Sequence, residues 1–274
     1  MMAYWAHDLN PVIFRLGDVL AIRWYALAYI VGFGIAAGLL GYYYRKRRSP
    51  LNPDQQSSAL TALILGVLVG GRMGYLLLYQ PEAWLRDPLL LFKVWQGGMA
   101  SHGGFVGVVV AAVWISRHMR ISLLRLGDIL VTLAPPGILL GRIANFINGE
   151  LWGRTTDVPW AVLFREGPLQ EYGPPRHPSQ LYEAALEGGA LMIYTQLRFW
   201  LSDPARLRPG QLAGEFFIAY TVLRIAGEVF REPDAGLIFG GEPGHHLPAP
   251  RDLAHPVLLL SRTPAAAEYP AVTC

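Results

Sequence analysis

The sequence predicts an all-α polytopic membrane protein with about six to seven transmembrane helices and a small extracytoplasmic head segment. Hydrophobic residues make up 53% of the 274 residues and charged residues only 16%, which is too apolar for an ordinary soluble domain. Several apolar runs reach the roughly 20 residues that a helix needs to cross a bilayer. The arginines and lysines cluster between these runs instead of being spread evenly.

Six apolar segments are candidate transmembrane helices. They are residues 19–44, 59–79, 98–115, 123–147, 181–201 and 211–230. The N-terminus carries no basic region followed by a cleavage pattern, so we expect the first segment to remain as a membrane anchor.

The basic residues between the segments predict the orientation of the chain. They are residues 45–48, then Arg117, Arg120 and Arg125, then Arg206 and Arg208. All three groups fall on one side of the predicted spans, and the positive-inside rule makes that side cytoplasmic. The N-terminus, the 80–97 loop and the 148–180 segment are then extracytoplasmic.

The predicted domain organisation is an integral membrane domain, residues 1–239, followed by an atypical tail, residues 240–274. Within the first, residues 148–180 form the head, and residues 158–164 are a plausible short strand. The tail has no apolar run long enough to span a bilayer. The single cysteine, Cys274, cannot form an intrachain disulfide, so any thiol chemistry must use the thiol of a substrate.

Ionisable side chains inside apolar segments are candidates for function because charge is costly at membrane depth. Four polar residues of the sixth segment recur at spacings of four, four and three, which places them on one helix face. They are Tyr220, Arg224, Glu228 and Arg231. The alternative is that Arg224 and Glu228 only neutralise each other one turn apart.

The fourth segment ends with Arg142 and Asn145 on one face, followed by Asn148 and Glu150. A guanidinium at the outer interface suits a lipid phosphate because its planar donors bind two oxygens at once. The alternative is an arginine that only extends to the interface.

The third segment opens with His102, Gly103 and Gly104, which we expect at the depth of Arg142. Histidine suits a general base for a thiol or a donor to an oxygen, although a lone histidine is as often structural. We expect Arg72 inside the second segment to form a structural ion pair. Packing or helix capping is the expected role of the remaining polar residues, namely Tyr25, His177, Glu183 and Glu187.

With these residues assembled, the chain resembles the prolipoprotein diacylglyceryl transferases over about residues 10 to 235. The matching stretches are Arg23-Trp24-Tyr25, Gly71-Arg72, residues 95–104, residues 141–153, residues 177–183 and residues 224–234. The run Gly-Arg-Ile-Ala-Asn-Phe-Ile-Asn-Gly-Glu at residues 141–150 is the family's signature. The chain departs from the family in its tail, where the family has a seventh helix.

The resemblance implies a bacterial inner-membrane enzyme that works toward the extracytoplasmic leaflet. Its substrates would be phosphatidylglycerol and the signal peptides of prolipoproteins, with no nucleic acid partner, no metal and no cofactor, and we expect a monomer. The residues on the family's functional positions are Tyr25, His102, Arg142, Asn145, Glu150, Gly153, Arg224 and Glu228. We expect the phosphatidylglycerol site to be formed by six residues, namely Gly103, Gly104, Arg142, Asn145, Gly153 and Arg224.

The implied reaction transfers the diacylglyceryl group to a cysteine thiol and releases glycerol phosphate. We assign Arg142 to the phosphate, Arg224 to a second cationic position oriented by Glu228, and His102 to the base. The central hypothesis is that the arginines bind a phospholipid anion and do not merely hold helices together through carboxylates.

Three other functions fit the sequence less well. An intramembrane serine protease needs a Gly-x-Ser-x-Gly-like frame, which Ser101 lacks. A transporter would place charged residues along a substrate path but predicts inverted repeats, and we find no clear halves. A metal-dependent phosphatidyltransferase needs clustered acidic residues, whereas Asp18 and Asp128 are isolated in the sequence.

Overall fold

The computed structural model describes residues 4–16, 20–93, 97–167, 169–203 and 207–232, and these residues are mostly helical. Predictions for the tail, residues 240–274, lie outside the described residues. The same holds for Val19, Arg206 and parts of two motif stretches, residues 95–96 and 233–234.

The helices and strands follow each other in a simple order. The helices are α1 (Trp24–Arg45), α2 (Pro53–Tyr79), α3 (Pro81–Arg86), α4 (Ser101–His118), α5 (Leu123–Asn148), α6 (Ser179–Glu183), α7 (Leu191–Leu201) and α8 (Gln211–Glu228). A 3-10 turn covers Pro88–Leu91, and a π-helical segment, Ala184–Ala190, joins α6 to α7. The strands are β1 (Trp5–Ala6), β2 (Val12–Leu16), β3 (Leu20–Arg23), β4 (Val162–Glu166) and β5 (Glu171–Arg176).

Three helices in the described part of the chain, α1, α2 and α5, are long and apolar enough to cross a membrane. Many of their apolar side chains are exposed, Ile30 and Leu65 among them, as expected for side chains that contact lipid. The other three predicted segments also fold as helices, within α4, α6 to α7, and α8. The number of six to seven spans remains a prediction.

The start of the first predicted segment was wrong. Residues 20–23 are not helical; they form β3, which pairs antiparallel with β2. The periodicity of a short apolar run does not distinguish a strand from a helix. Here pairing with β2 makes residues 20–23 a strand. α1 begins at Trp24, whose indole Nε1 donates to the carbonyl of Asn10 at 3.1 Å.

Local signals set the starts of α2 and α4. Asn52 and Gln55 form a capping box, and Pro53 takes the first position of α2, so this helix begins six residues before the predicted 59. Gly97 and Gly98 have φ values of 77° and 78°, a conformation that glycine adopts readily, so α4 begins only at Ser101.

The chain divides into two compact units. The first takes its described residues from Met1–Ala28, Ile138–Met192 and Phe217–Cys274, and the second from Tyr29–Gly137 and Ile193–Phe216. His102, Gly103 and Gly104 belong to the second unit, and the other predicted site residues belong to the first.

In the second unit, α2 and α4 approach closely along glycines. A Cβ added to Gly66 would lie 2.5 Å from the carbonyl oxygen of Gly107, and one added to Gly74 would lie 2.7 Å from the Cα of Gly103. Small residues four apart allow this approach, as in many membrane helix pairs. Gly103 is therefore part of a helix contact.

In the first unit, β4 lies between β1 and β5, parallel to β1 and antiparallel to β5. Residues 158–164 were predicted as the strand, but the strand is Val162–Glu166. The chain turns at residues 158–161, where the amide of Ala161 donates to the carbonyl of Val158 at 3.0 Å. Pro159 has no amide to donate to a sheet, which favours the turn.

Candidate active site

An arginine–glutamate cluster lies in the first unit and contains most of the charged residues singled out in the sequence. Its members are Arg142, Glu183, Glu187, Arg224, Glu228 and Arg231. They come from α5, from the end of α6, from the π-helical segment, from α8 and from the residues just after α8. The fold thus gathers six side chains that are up to 89 residues apart in the sequence.

Arg142 contacts both buried carboxylates of the cluster. Its Nη1 lies 2.8 Å from Oε2 of Glu183, and its Nη2 lies 2.9 Å from Oε2 of Glu187. The second contact is a hydrogen bond. The first is an ionic contact without hydrogen-bond alignment, because Oε2 of Glu183 has no hydrogen-bond partner among the described residues.

Arg224 contacts three carboxylates. Its Nη1 lies 2.6 Å from Oε1 of Glu183 and 3.1 Å from Oε1 of Glu187. Its Nη2 lies 2.6 Å from Oε2 of Glu228, one helical turn further along α8. The guanidinium is thus held on one side by the buried pair and on the other by Glu228.

The members of the cluster differ in exposure. The side chains of Glu183 and Glu187 are 0% exposed, whereas those of Arg142, Arg224 and Glu228 are 17%, 24% and 40% exposed. A buried carboxylate is tolerated only with compensating charge, which the arginines supply. The two arginines and Glu228 form the more accessible side of the cluster.

The sequence analysis assigned Glu183 and Glu187 to packing or helix capping, and this was wrong. They are the counterions of Arg142 and Arg224. Two glutamates four apart in an apolar segment are themselves a signal of function, because such residues are rare within membrane helices. Glu187 lies in the π-helical segment, a rare geometry that is frequent at functional sites.

The structure shows the alternative weighed for the arginines, namely ion pairs that join helices. The Arg224–Glu228 pair forms as expected, and Arg224 and Arg142 also bind carboxylates from other elements. The guanidiniums are nevertheless partly exposed, and a guanidinium has five N–H donors, more than the described contacts of Arg142 use. Their role toward a lipid headgroup remains a prediction.

A second group of predicted residues forms a short hydrogen-bonded chain. Nδ2 of Asn145 donates to the hydroxyl of Tyr25 at 3.2 Å and to Oε1 of Glu150 at 2.9 Å. Asn148 donates to the same Glu150 oxygen at 3.1 Å. Asn145 is buried and Glu150 is exposed, so the chain leads from a buried amide to a solvent-accessible carboxylate.

Gly153 lies where two backbone segments meet. Its amide donates to the carbonyl of His177 at 2.9 Å. A Cβ at this position would lie 2.5 Å from the carbonyl oxygen of Phe230 and 2.6 Å from that of His177. Only glycine fits here without displacing backbone.

The packing role expected for His177 is confirmed. Its ring makes edge-to-face contacts with Tyr182 and Phe230, and Nδ1 lies 3.3 Å from the Tyr182 hydroxyl. Partial burial holds the pKa of His177 below its usual range, because desolvation disfavours the charged ring.

His102, Gly103 and Gly104 form the first turn of α4 in the second unit. The side chain of His102 is exposed, and Gly103 is in contact with α2. The expectation that His102 lies at the depth of Arg142 stays a prediction.

The ion pair expected for Arg72 was wrong, because the described hydrogen-bond partners of this guanidinium are backbone carbonyls, and its other described contact is the Tyr75 ring. The residue is 3% exposed. It donates to Leu90 at 2.6 Å from Nη2 and 3.0 Å from Nε, to Lys93 at 3.1 Å, to Gly98 at 3.2 Å, and also to Gly97. Arg72 therefore fixes the segment that leads into α4.

Two cavities of about 430 Å³ each lie in the second unit. One lies between α7 and the start of α8, lined in part by Tyr194, Arg198 and Gln211; the other lies along α4 near Trp114. No predicted site residue lines either of them, so they do not bear on the site described above.

Comparison with known proteins gives one consistent match. The family model for prolipoprotein diacylglyceryl transferase matches residues 11–256, which reaches into the predicted tail. A relative from Bradyrhizobium diazoefficiens is 44% identical over 85% of this chain and 83% of its own length. A relative from Rhodospirillum centenum is 44% identical over 94% of this chain and 96% of its own length. A relative from Pseudoalteromonas atlantica is 48% identical over 83% of this chain and 77% of its own length. All three are named phosphatidylglycerol-prolipoprotein diacylglyceryl transferase.

Proposed function

The chain belongs to the prolipoprotein diacylglyceryl transferase family, and we propose that it transfers the diacylglyceryl group of phosphatidylglycerol to the lipobox cysteine of prolipoproteins. This is the first step of bacterial lipoprotein maturation. The observation that carries the proposal is the match of the family model over residues 11–256, together with relatives that are 44% to 48% identical. Helices apolar enough to cross a membrane support an enzyme that works on a lipid.

The proposed reaction is a substitution at a glyceryl carbon. The cysteine sulfur forms a bond with this carbon, and the bond from the carbon to the phosphate oxygen breaks. Glycerol phosphate leaves with the bonding electron pair, and the thiol proton passes to a base. The enzyme therefore has to stabilise charge on the departing phosphate and promote the thiolate.

Arg142 and Arg224 are the residues that we propose for the phosphate. Both share the same two buried carboxylates, so their guanidiniums are held close to each other before substrate arrives. Donors that are already in place need little reorganisation as charge develops, which is the main source of electrostatic stabilisation in enzymes. Glu183 and Glu187 are positioning residues in this account.

The remaining predicted site residues have proposed roles as well. His102 is the proposed base for the thiol, and Tyr25, Asn145 and Glu150 form the hydrogen-bonded chain beside Arg142 on α5. Backbone next to Gly103, Gly104 and Gly153 is proposed to contact the lipid headgroup.

We place the enzyme in the bacterial inner membrane as a monomer that spans it several times. The N-terminus and the active site face the extracytoplasmic leaflet, and residues 148–180 form a small head there. The basic cluster at residues 45–48 supports this orientation through the positive-inside rule.

Replacing Arg142 tests the proposed function. Arg142→Ala removes a donor to the departing phosphate, so the transfer of labelled diacylglyceryl from phosphatidylglycerol to a lipobox peptide should fall by about 10²- to 10³-fold. Arg198→Ala is the matched control, since Arg198 is ion-paired with Glu215 and lies in the second unit. Full transfer activity in an inserted Arg142→Ala protein would refute the role of this arginine.

A further inference from the structure

The described members of the arginine–glutamate cluster balance in charge before any lipid binds. They are three arginines and three glutamates, linked by contacts of 3.6 Å or less. Adding the negative charge of a phospholipid phosphate would leave excess negative charge among partly buried groups, which is unfavourable. Withdrawal of one carboxylate when the phosphate binds would remove this excess.

The three glutamates differ in how firmly they are held. Glu183 contacts Arg142, Arg224 and Arg231, and Glu187 contacts the first two of these; both glutamate side chains are 0% exposed. Neither can leave its arginines without becoming a buried, unpaired charge.

Glu228 is held far less firmly. Its described contact within the cluster is with Arg224 alone, at 2.6 Å, and its side chain is 40% exposed. A change of rotamer moves this carboxylate into more solvated surroundings without leaving a buried charge behind. The vacated donor is Nη2 of Arg224, while Nη1 stays bound to the buried pair.

We infer that the Glu228 carboxylate is an exchangeable occupant of the phosphate site on Arg224. A phosphate oxygen of the anionic lipid takes its place on Nη2, and Glu183 and Glu187 keep both arginines in position. Glu228 thus competes with the lipid, in contrast to the orienting role expected for it from the sequence. This inference rests on the proposed function, because it takes phosphatidylglycerol as the ligand.

Competition with the lipid and a purely structural role predict opposite changes in lipid affinity when Glu228 is replaced. Glu228→Gln removes the competing charge and keeps the size of the side chain, so the lipid should bind more tightly, by about fivefold or more in Kd. Glu187→Gln removes a charge that positions both arginines, so the lipid should bind more weakly. A purely structural role for Glu228 would instead weaken binding when the residue is replaced.

The experiment measures the Kd of palmitoyl-oleoyl phosphatidylglycerol for the full chain in detergent micelles by native mass spectrometry. Glu215→Gln, on the same helix but paired with Arg198, is the matched control and should leave Kd unchanged. Glu228→Ala replaces the glutamine variant if that variant does not fold. Unchanged or weaker binding by the Glu228 variant would overturn the inference, whereas wild-type protein that binds no phosphatidylglycerol would overturn the proposed function itself.

Discussion

At the scale of single residues, the contacts of Glu183 and Glu187 explain why two arginines can be kept in an apolar setting. Arg142, Asn145, Arg224 and Glu228 could be chosen from the sequence because charged and amide groups are rare in apolar segments. The pairing with Glu183 and Glu187 could not be predicted, because Glu187 lies 45 residues from Arg142 and Glu183 lies 41 residues from Arg224. Only the packing of the helices brings them together.

Gly153 gives a residue-scale prediction. In Gly153→Ala the new Cβ would meet the carbonyl oxygens of Phe230 and His177 at 2.5 Å and 2.6 Å, so the variant should lose about 1–3 kcal/mol of stability. Thermal unfolding in detergent measures this loss. Gly214→Ala in α8 is the control, because nothing lies within 4 Å of a Cβ there, and it should be neutral or slightly stabilising. A Gly153→Ala protein as stable as wild type would contradict the close approach.

At the scale of elements, helices were easier to predict than strands. α5 runs over Leu123–Asn148, against the predicted 123–147, because one long apolar run ends in a polar motif. The β2–β3 pair was missed because each strand is a short apolar run whose identity depends on the other. The earlier start of α2 had a local signal, the Asn52–Gln55 capping box.

Arg72 gives the prediction at this scale. Replacing it with methionine leaves the carbonyls of Leu90 and Lys93 and those of two glycines without their buried donor, so Arg72→Met should cost at least about 3 kcal/mol. Chemical or thermal unfolding of the purified variant provides the measurement. Arg86→Met is the control, since Arg86 is exposed and its described ion pair is with Glu82 across one helical turn. Equal stability of the two variants would show that the carbonyl contacts do not matter.

At the scale of the whole molecule, composition was enough to predict a membrane protein, and the signature at residues 141–150 was enough to predict the family. The number of spans is harder to predict, because α4 and α8 have only 18 residues each and α8 carries several charges. The hydropathy of such helices is lowered by the same polar residues that make them candidates for function.

The orientation of the chain can be tested with introduced cysteines, because its single natural cysteine, Cys274, is easily removed. In a Cys274→Ser background, Glu171→Cys in the predicted head should react with a membrane-impermeant maleimide added to intact spheroplasts, and Lys46→Cys in the basic cluster should react only after lysis. Lys46 and Glu171 are both exposed on the protein, so a difference in labelling reports the side of the membrane and not burial. The reverse labelling pattern would invert the proposed topology.

The most direct test of the proposed function is rescue of a bacterial strain depleted of its own prolipoprotein diacylglyceryl transferase. Expression of this chain as encoded should restore growth and the lipidation of prolipoproteins, and the Arg142→Ala variant, inserted to the same level, should restore neither. Failure of the inserted wild-type chain to restore lipidation, or rescue by both proteins alike, would contradict the account.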